Sequence, residues 1–220
     1  PGSGALPLPD GLAPRQAVPA VLGGIARHGR NLLPEVSGKR VLVVGLGVIG
    51  QLAARLYRLA GAEVTACDLL AERVDLAARA GVHAVRPDGD EPLIDGGAEI
   101  IVDCSGSHAA LNWALRQSLF PAWNPAGDYA EPVWCVVQGS YGGGITVDYP
   151  TAFTREVRMV FPRSVNYSDI ADVMTLIRDG RLTCADLATE ASPDEAPDIY
   201  RRLLDGEADF MTACFRWATD

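Results

Sequence analysis

No apolar run in this 220-residue chain is long enough to cross a membrane as a helix. No signal-peptide pattern is visible at its start, and the expectation is a cytoplasmic protein with no membrane partner. Clustered basic residues are missing too. The 19 Lys and Arg against 28 Asp and Glu leave a net charge of -9, the wrong sign for a nucleic-acid surface. The five cysteines, Cys67, Cys104, Cys135, Cys184 and Cys214, form no C-x-x-C pair, which removes a zinc knot and a thioredoxin motif. Scattered in odd number through strand-like segments, they read as reduced core thiols. No two of His28, His83 and His108 stand at metal-ligand spacing, so no metal site is expected from this chain. An initiator Met is also missing, and the start reads as a processed, cloned or truncated end. What is present is ordinary for a soluble globular protein: 48% hydrophobic and 21% charged residues. The length suits one large domain or one and a half.

The informative stretch is Arg40-Val41-Leu42-Val43-Val44-Gly45-Leu46-Gly47-Val48-Ile49-Gly50. It reads as a buried strand, a glycine turn and the start of a helix. Gly45, Gly47 and Gly50 fit the G-x-G-x-x-G spacing: a tight turn, close approach to a pyrophosphate, and close helix–strand packing. The free N–H groups of Val48 and Ile49 would face the phosphates, where the helix dipole favours negative charge. A second strand, Glu63 to Cys67, leads into Asp68, 18 residues past Gly50, where a carboxylate binds the ribose hydroxyls of NAD. Asp68 is followed by Leu69, Leu70 and Ala71 with no adjacent base for a 2′-phosphate, which favours NAD over NADP. Without this context the same residues would make a ligand-free turn and a solvated acid.

Further strands are expected at His83–Val85, Glu99–Cys104, Trp134–Gln138 and about 156–161, with helices between them. The near-continuous apolar strands point to a parallel sheet buried on both faces. The fold class is therefore α/β, a doubly wound six-stranded parallel sheet of order 3-2-1-4-5-6. Residues 1–36 should be a linker arm and a packing helix, with Val18, Val21, Leu22 and Ile25 at helical spacing. Pro19 and Gly23-Gly24 weaken that helix, so it needs tertiary contacts to persist. Residues 37–165 form the nucleotide-binding domain, and 166–220 a C-terminal helical extension. In the extension, a helix is expected from Ser168 to Gly180, a capping box at Ser192 and Glu195, a helix to Leu204, and a last strand over 210–217. Leu119 to Pro132 is longer than the usual connection. It should lie beyond the amino ends of the strands, with Trp123 and Tyr129 either decorating the surface or meeting a partner.

These segments resemble the medium-chain dehydrogenase/reductase superfamily, the zinc alcohol dehydrogenase-like proteins. Leu8-Pro9-Asp10-Gly11 resembles the lead into the family's crossing helix, and Gly45 to Gly50 its cofactor loop. Asp68 and Arg73, with Ala77 and Ala80-Gly81, resemble its "D…R…A…GA" run. Val102-Asp103-Cys104-Ser105-Gly106 resembles the segment below the nicotinamide ribose, and Glu195 to Tyr200 the "EAPEAY" of the last helix. The tail from Phe153 to Trp217 is similar to that of bacteriochlorophyllide a dehydrogenase. The GroES-like catalytic domain that precedes this region in the family, with its G-H-E motif and most zinc ligands, is absent, as is the four-cysteine lobe. The chain is thus either a fragment or a naturally shortened member.

The resemblance implies a Rossmann domain binding NAD, and hydride transfer between NAD and a small-molecule alcohol or carbonyl substrate. The alternative is a shortened NAD-binding protein that serves as a scaffold or in non-redox chemistry. Expected cofactor contacts are Gly45, Gly47, Val48, Ile49, Gly50 and Asp68, with Arg73 by the adenine end. Ser105, Gly106, Gln138, Gly139 and Ser140 are expected at the nicotinamide half. Ser140 and Tyr141 are the nearest candidates for handling the alcohol proton, although a plain turn before Gly142-Gly143-Gly144 accounts for them more simply. Asp103 reads as a structural acid. The resemblance also implies a homodimer paired through the sixth strand, whose bare edge would otherwise invite association.

Overall fold

The computed structural model describes residues 5–121, 126 and 131–217. Its centre is β1 (Arg40–Val44), with β2 (Glu63–Cys67) and β3 (His83–Val85) on one side. On the other side lie β4 (Ile100–Asp103), β5 (Trp134–Val137) and β6 (Arg158–Val160). All pairings are parallel and the order is β3-β2-β1-β4-β5-β6, as expected. Strand residues alternate between two apolar layers, because successive side chains leave opposite faces of the pleat. Val41, Val43, Val102 and Val136 enter one layer, and Leu42, Val44, Ile101 and Val137 the other.

The first layer is closed by α3 (Val48–Leu59), α4 (Ala71–Arg79) and two helices from the ends of the chain. These are α2 (Ala20–Asn31), which follows the short α1 (Pro14–Ala17), and α7 (Tyr167–Arg178). The second layer is closed by α5 (His108–Arg116), whose Leu111, Ala114 and Leu115 are wholly buried. A short α6 (Tyr149–Thr154) precedes β6.

Helix α2 forms despite its sequence because its glycines are contact points. A Cβ on Gly23 would stand 2.8 Å from Val173 Cγ1, and one on Gly24 would stand 2.6 Å from Val165 Cγ2. Two helix glycines cost about 2 kcal/mol relative to alanine. Burial of Val173 and Ile170 against them contributes about 1.5–3 kcal/mol each, so packing wins. The seam is fixed by polar pairs. Arg27 Nη2 donates to Asp172 at 2.6 Å, and Asn31 Nδ2 to the buried Asp169 at 2.7 Å, while His28 Nδ1 lies 3.1 Å from the other Asp169 oxygen.

The C-terminal extension is less helical than expected. A 3-10 turn (Ala185–Leu187) leads into β7 (Ala188–Ala191), which pairs in parallel with β8 (Thr212–Phe215) across α8 (Ala196–Asp205). β7 escaped the sequence reading because Ala-Thr-Glu-Ala has neither length nor an apolar alternation. The capping box stands: Ser192 N–H donates to Glu195 Oε2 at 2.7 Å. The flanks of the long connection before β5 do lie at the amino ends of the strands. Leu119 N–H donates to Ala98, and Lys39, just ahead of β1, bridges Glu99 and Glu131. Trp123 and Tyr129 fall outside the described residues. Among the described residues no helix is long and apolar enough to cross a membrane.

Candidate cofactor site

β1 and β4 are neighbours, yet the helices that follow them leave to opposite faces of the sheet. That reversal opens a crevice at the carboxyl ends of the strands, the place where ligands bind in such folds. Gly45 sits there at φ +88, which a side chain would strain, and a Cβ on it would press to 2.9 Å from the Cα of Ser105. Gly50 faces the turn so closely that a Cβ would fall 1.8 Å from Gly45 O. Gly47 is the opposite case. A Cβ there would meet nothing within 4 Å. The backbone is thus bare on the side where a pyrophosphate would approach. As N-cap of α3, Gly47 brings no side chain to the first N–H groups, and the first turn carries no acid to repel phosphate.

Asp68 stands at the end of β2 beside this turn. Its Oδ2 accepts from Leu46 N–H at 2.7 Å and its Oδ1 from Leu70 N–H at 2.9 Å. A carboxylate has about four acceptor positions, so lone pairs remain for two ribose hydroxyls. The Arg73 guanidinium lies 3.8 Å from the same carboxylate. Cys67, next along the strand, is no nucleophile: burial first, then the charge of Asp68, pushes its thiol up to about 12.

The loops after β4 and β5 close on each other at the other half of the crevice. A Cβ on Gly139 would stand 2.5 Å from Gly106 N, and one on Gly106 would stand 2.6 Å from Ser140 O. Asp103, wholly buried, staples the two loops. It accepts from Ser105 N–H at 3.1 Å, from Ser105 Oγ at 2.5 Å and from Tyr141 Oη at 2.6 Å. Burial, then this bond to Asp103, pushes the Tyr141 phenol well above its ordinary range, so in this arrangement it holds its proton. Ser140 is exposed beside it. Gln138, expected at the nicotinamide half, turns its amide the other way: Nε2 donates to Ile25 O of α2 at 3.1 Å.

Sequence reasoning missed two residues on α3. Gln51 is wholly buried, and its Nε2 donates to Leu46 O at 3.3 Å and to Arg73 O at 2.8 Å. Arg55, one turn on, is 5% exposed and reaches Asp186 of the extension. The available signal was a pair of polar residues four apart on a helix face that is otherwise apolar. Among the described residues, no three His, Cys, Asp or Glu side chains converge as a metal site would require.

No family model matches the chain. Individual relatives do. L-galactonate-5-dehydrogenase of Escherichia coli (strain K12) is 27% identical over 192 residues, 84% of this chain and 53% of that enzyme. An uncharacterized zinc-type alcohol dehydrogenase-like protein of Haemophilus influenzae is 28% identical over 121 residues, 51% of this chain and 35% of that protein. The relatives that this chain resembles are medium-chain dehydrogenases/reductases of the zinc-type alcohol dehydrogenase-like kind. Solved structures carry the same fold. 2R,3R-butanediol dehydrogenase from Bacillus subtilis superposes with a TM-score of 0.81 at 18% identity, over 96% of this chain and 60% of that one. Two medium-chain neighbours hold a dinucleotide. Acetophenone reductase from Geotrichum candidum, in complex with NAD, has a TM-score of 0.74 at 20% identity, over 94% of this chain and 57% of that one. A putative zinc-binding dehydrogenase from Sinorhizobium meliloti 1021, bound to NADP, has a TM-score of 0.73 at 24% identity, over 87% and 57%. The chain spans about half the length of its first curated relative.

Proposed function

We propose that this chain is the NAD-binding unit of an oxidoreductase that moves hydride between NAD and a small alcohol or carbonyl substrate. One observation carries the reading: the glycine turn is sterically obligatory at Gly50 and bare at Gly47, with the Asp68 carboxylate beside it. A turn serving only the fold would have no need of the open side. In this reading Gly47, Val48 and Ile49 bind the pyrophosphate by backbone N–H groups. Asp68 takes the adenosine ribose hydroxyls and Arg73 flanks the adenine. Ser105, Gly106, Gly139 and Ser140 line the nicotinamide half, held in place by Asp103. The nicotinamide supplies the hydride chemistry when bound. Of the two proton-handling candidates, Tyr141 is committed to Asp103 and Ser140 is free.

The zinc-type name belongs to one relative, and zinc is no part of the reading proposed for this chain. Its described residues offer no converging set of three ligands, and no step is derived through a metal. Without a metal or a placed acid, an alkoxide would go unstabilised, at a cost on the order of 3–4 kcal/mol. The purified chain should therefore bind NAD while turning over simple alcohols poorly. A second reading, cofactor binding in a scaffold or non-redox role, is favoured by that same missing acid. Titration calorimetry with NAD and NADP tests the binding, and an alcohol panel followed at the NADH absorbance tests the chemistry. No binding of either dinucleotide sinks the main reading, and vigorous NADH production sinks the second.

β6 supports the expectation of a dimer. Its only sheet neighbour among the described residues is β5, and Phe161 just beyond it is 58% exposed. Pairing of two such edges about a dyad would complete the hydrogen bonding of both.

A further inference from the structure

A line of polar groups, buried at Gln51 and Arg55 and exposed at Asp186, runs from the cofactor turn to the C-terminal extension. Leu46 is gripped through both its peptide groups: its N–H donates to Asp68 and its C=O accepts from Gln51 Nε2. The same Gln51 nitrogen holds Arg73 O, and Gln51 Oε1 accepts from Arg55 Nη2 at 3.4 Å. Arg55 then meets Asp186 by two bonds, Nη1 to Oδ1 at 2.8 Å and Nη2 to Oδ2 at 2.7 Å, and Nη1 also reaches Thr183 O at 2.6 Å. Arg55 Nε is buried and has no partner, so the guanidinium depends on these contacts. Thr183 and Asp186 belong to the link between α7 and β7.

We propose that Gln51, Arg55 and Asp186 are positioning residues that couple the seating of the extension to the shape of the cofactor turn. The inference rests on the dinucleotide reading above. Its logic lies in the Gln51 amide. With Arg55 donating to Oε1, only one flip places Nε2 against the carbonyls of Leu46 and Arg73. The other flip aims an acceptor at two acceptors and pushes the Leu46 peptide away. Across the Leu46 Cα, the preceding peptide carries the N–H that orients Asp68, the ribose acid. Loss of Asp186 leaves a buried guanidinium without its carboxylate, draws Arg55 toward solvent, and releases the flip. Coupling is reciprocal. A bound dinucleotide must therefore hold the extension more firmly in place.

The test compares the wild-type chain with Asp186→Asn, Asp186→Glu and Arg55→Lys. NAD affinity is measured by calorimetry, amide exchange is followed over residues 183–187, and folding is checked by circular dichroism. Asp186→Asn and Arg55→Lys should weaken NAD by about fivefold or more, the lower end of typical coupling. NAD should slow exchange over 183–187 in the wild type and not in these two variants. Asp186→Glu should restore both effects. Unchanged affinity in a folded Asp186→Asn, whatever its melting temperature, overturns the proposal, as does a wild-type extension whose exchange ignores NAD. If Asp186→Asn does not fold, Arg55→Lys and the wild-type exchange still decide. A wild-type chain that binds no dinucleotide overturns the functional reading and this coupling together; binding that Asp186→Asn leaves intact overturns the coupling alone.

Discussion

Replacing Gly50 and Gly47 by alanine separates the two jobs of the glycine turn. Gly50 lies in α3, where alanine on helix propensity alone would stabilise by about 1 kcal/mol. The structure reverses that sign. The added Cβ would fall 1.8 Å from Gly45 O and 2.9 Å from Gly45 C, both backbone atoms of a turn that cannot swing aside. It would also stand 3.4 Å from Cys104 Cβ, so the far side offers no retreat. Overpacking of this kind costs about 1–3 kcal/mol, and more where the obstacle is rigid. A net loss of about 2 kcal/mol should lower the melting temperature by roughly 4–8 °C for a domain of this size. Gly47 has φ -64, which alanine adopts freely, and open space at its Cβ. Gly47→Ala should keep or slightly raise the melting temperature, by about 0.4–1 kcal/mol through the unfolded state. It should weaken NAD sharply, because the new methyl occupies the approach of the pyrophosphate. Scanning calorimetry and NAD titration on both variants read the two effects. A Gly50→Ala chain as stable as the wild type, or a Gly47→Ala chain that binds NAD undiminished, would refute the reasoning.

Three further outcomes follow from named contacts. Asp68→Ala should weaken NAD more than NADP in parallel titrations, and an equal loss for both would remove Asp68 from the ribose. Sedimentation at micromolar concentration should show a dimer; a wild-type monomer would contradict pairing through that strand. Burial, the largest single influence, pushes the Glu99 carboxyl up, but the Arg40 N–H and the Lys39 ammonium together outweigh it and hold the group below its ordinary value. A depressed carboxyl contributes stability above its unfolded value of about 4.5 and loses it as pH falls through the folded one, so Glu99→Gln should flatten the acid limb of a stability profile; an unchanged limb between pH 5 and 3 would count against it.

The glycine turn and the acid beside it were legible because their signals are local. Three glycines, a strand before them and an acid after the next strand fall within 29 residues, Arg40 to Asp68. Sheet order followed from the alternation of strands and helices, and strand ends agreed to within a residue or two. The partners of Arg55 were not legible, since Asp186 lies 131 residues away and no periodicity reports a pairing over that distance. The direction of the Gln138 amide was not legible for a similar reason. Its position at a strand end is local information, but its direction is set by α2, where Gly29 leaves room for the amide. Short α6, with Pro150 in its first turn, gave no helical period to detect.

The seam between α2 and α7 also sets an order of events on the ribosome. Arg27 and Asp172 are 145 positions apart, and His28 and Asp169 are 141. Helix α2 carries three glycines and leaves the exit tunnel long before the helix it must lean on. At about 5–20 residues per second, the wait is on the order of 10–30 s. For that interval α2 lacks the helix it packs on, while the strands behind it can already pair. That face of the sheet is therefore covered by α3 and α4 alone at first, and its apolar layer is completed when α2 and α7 meet.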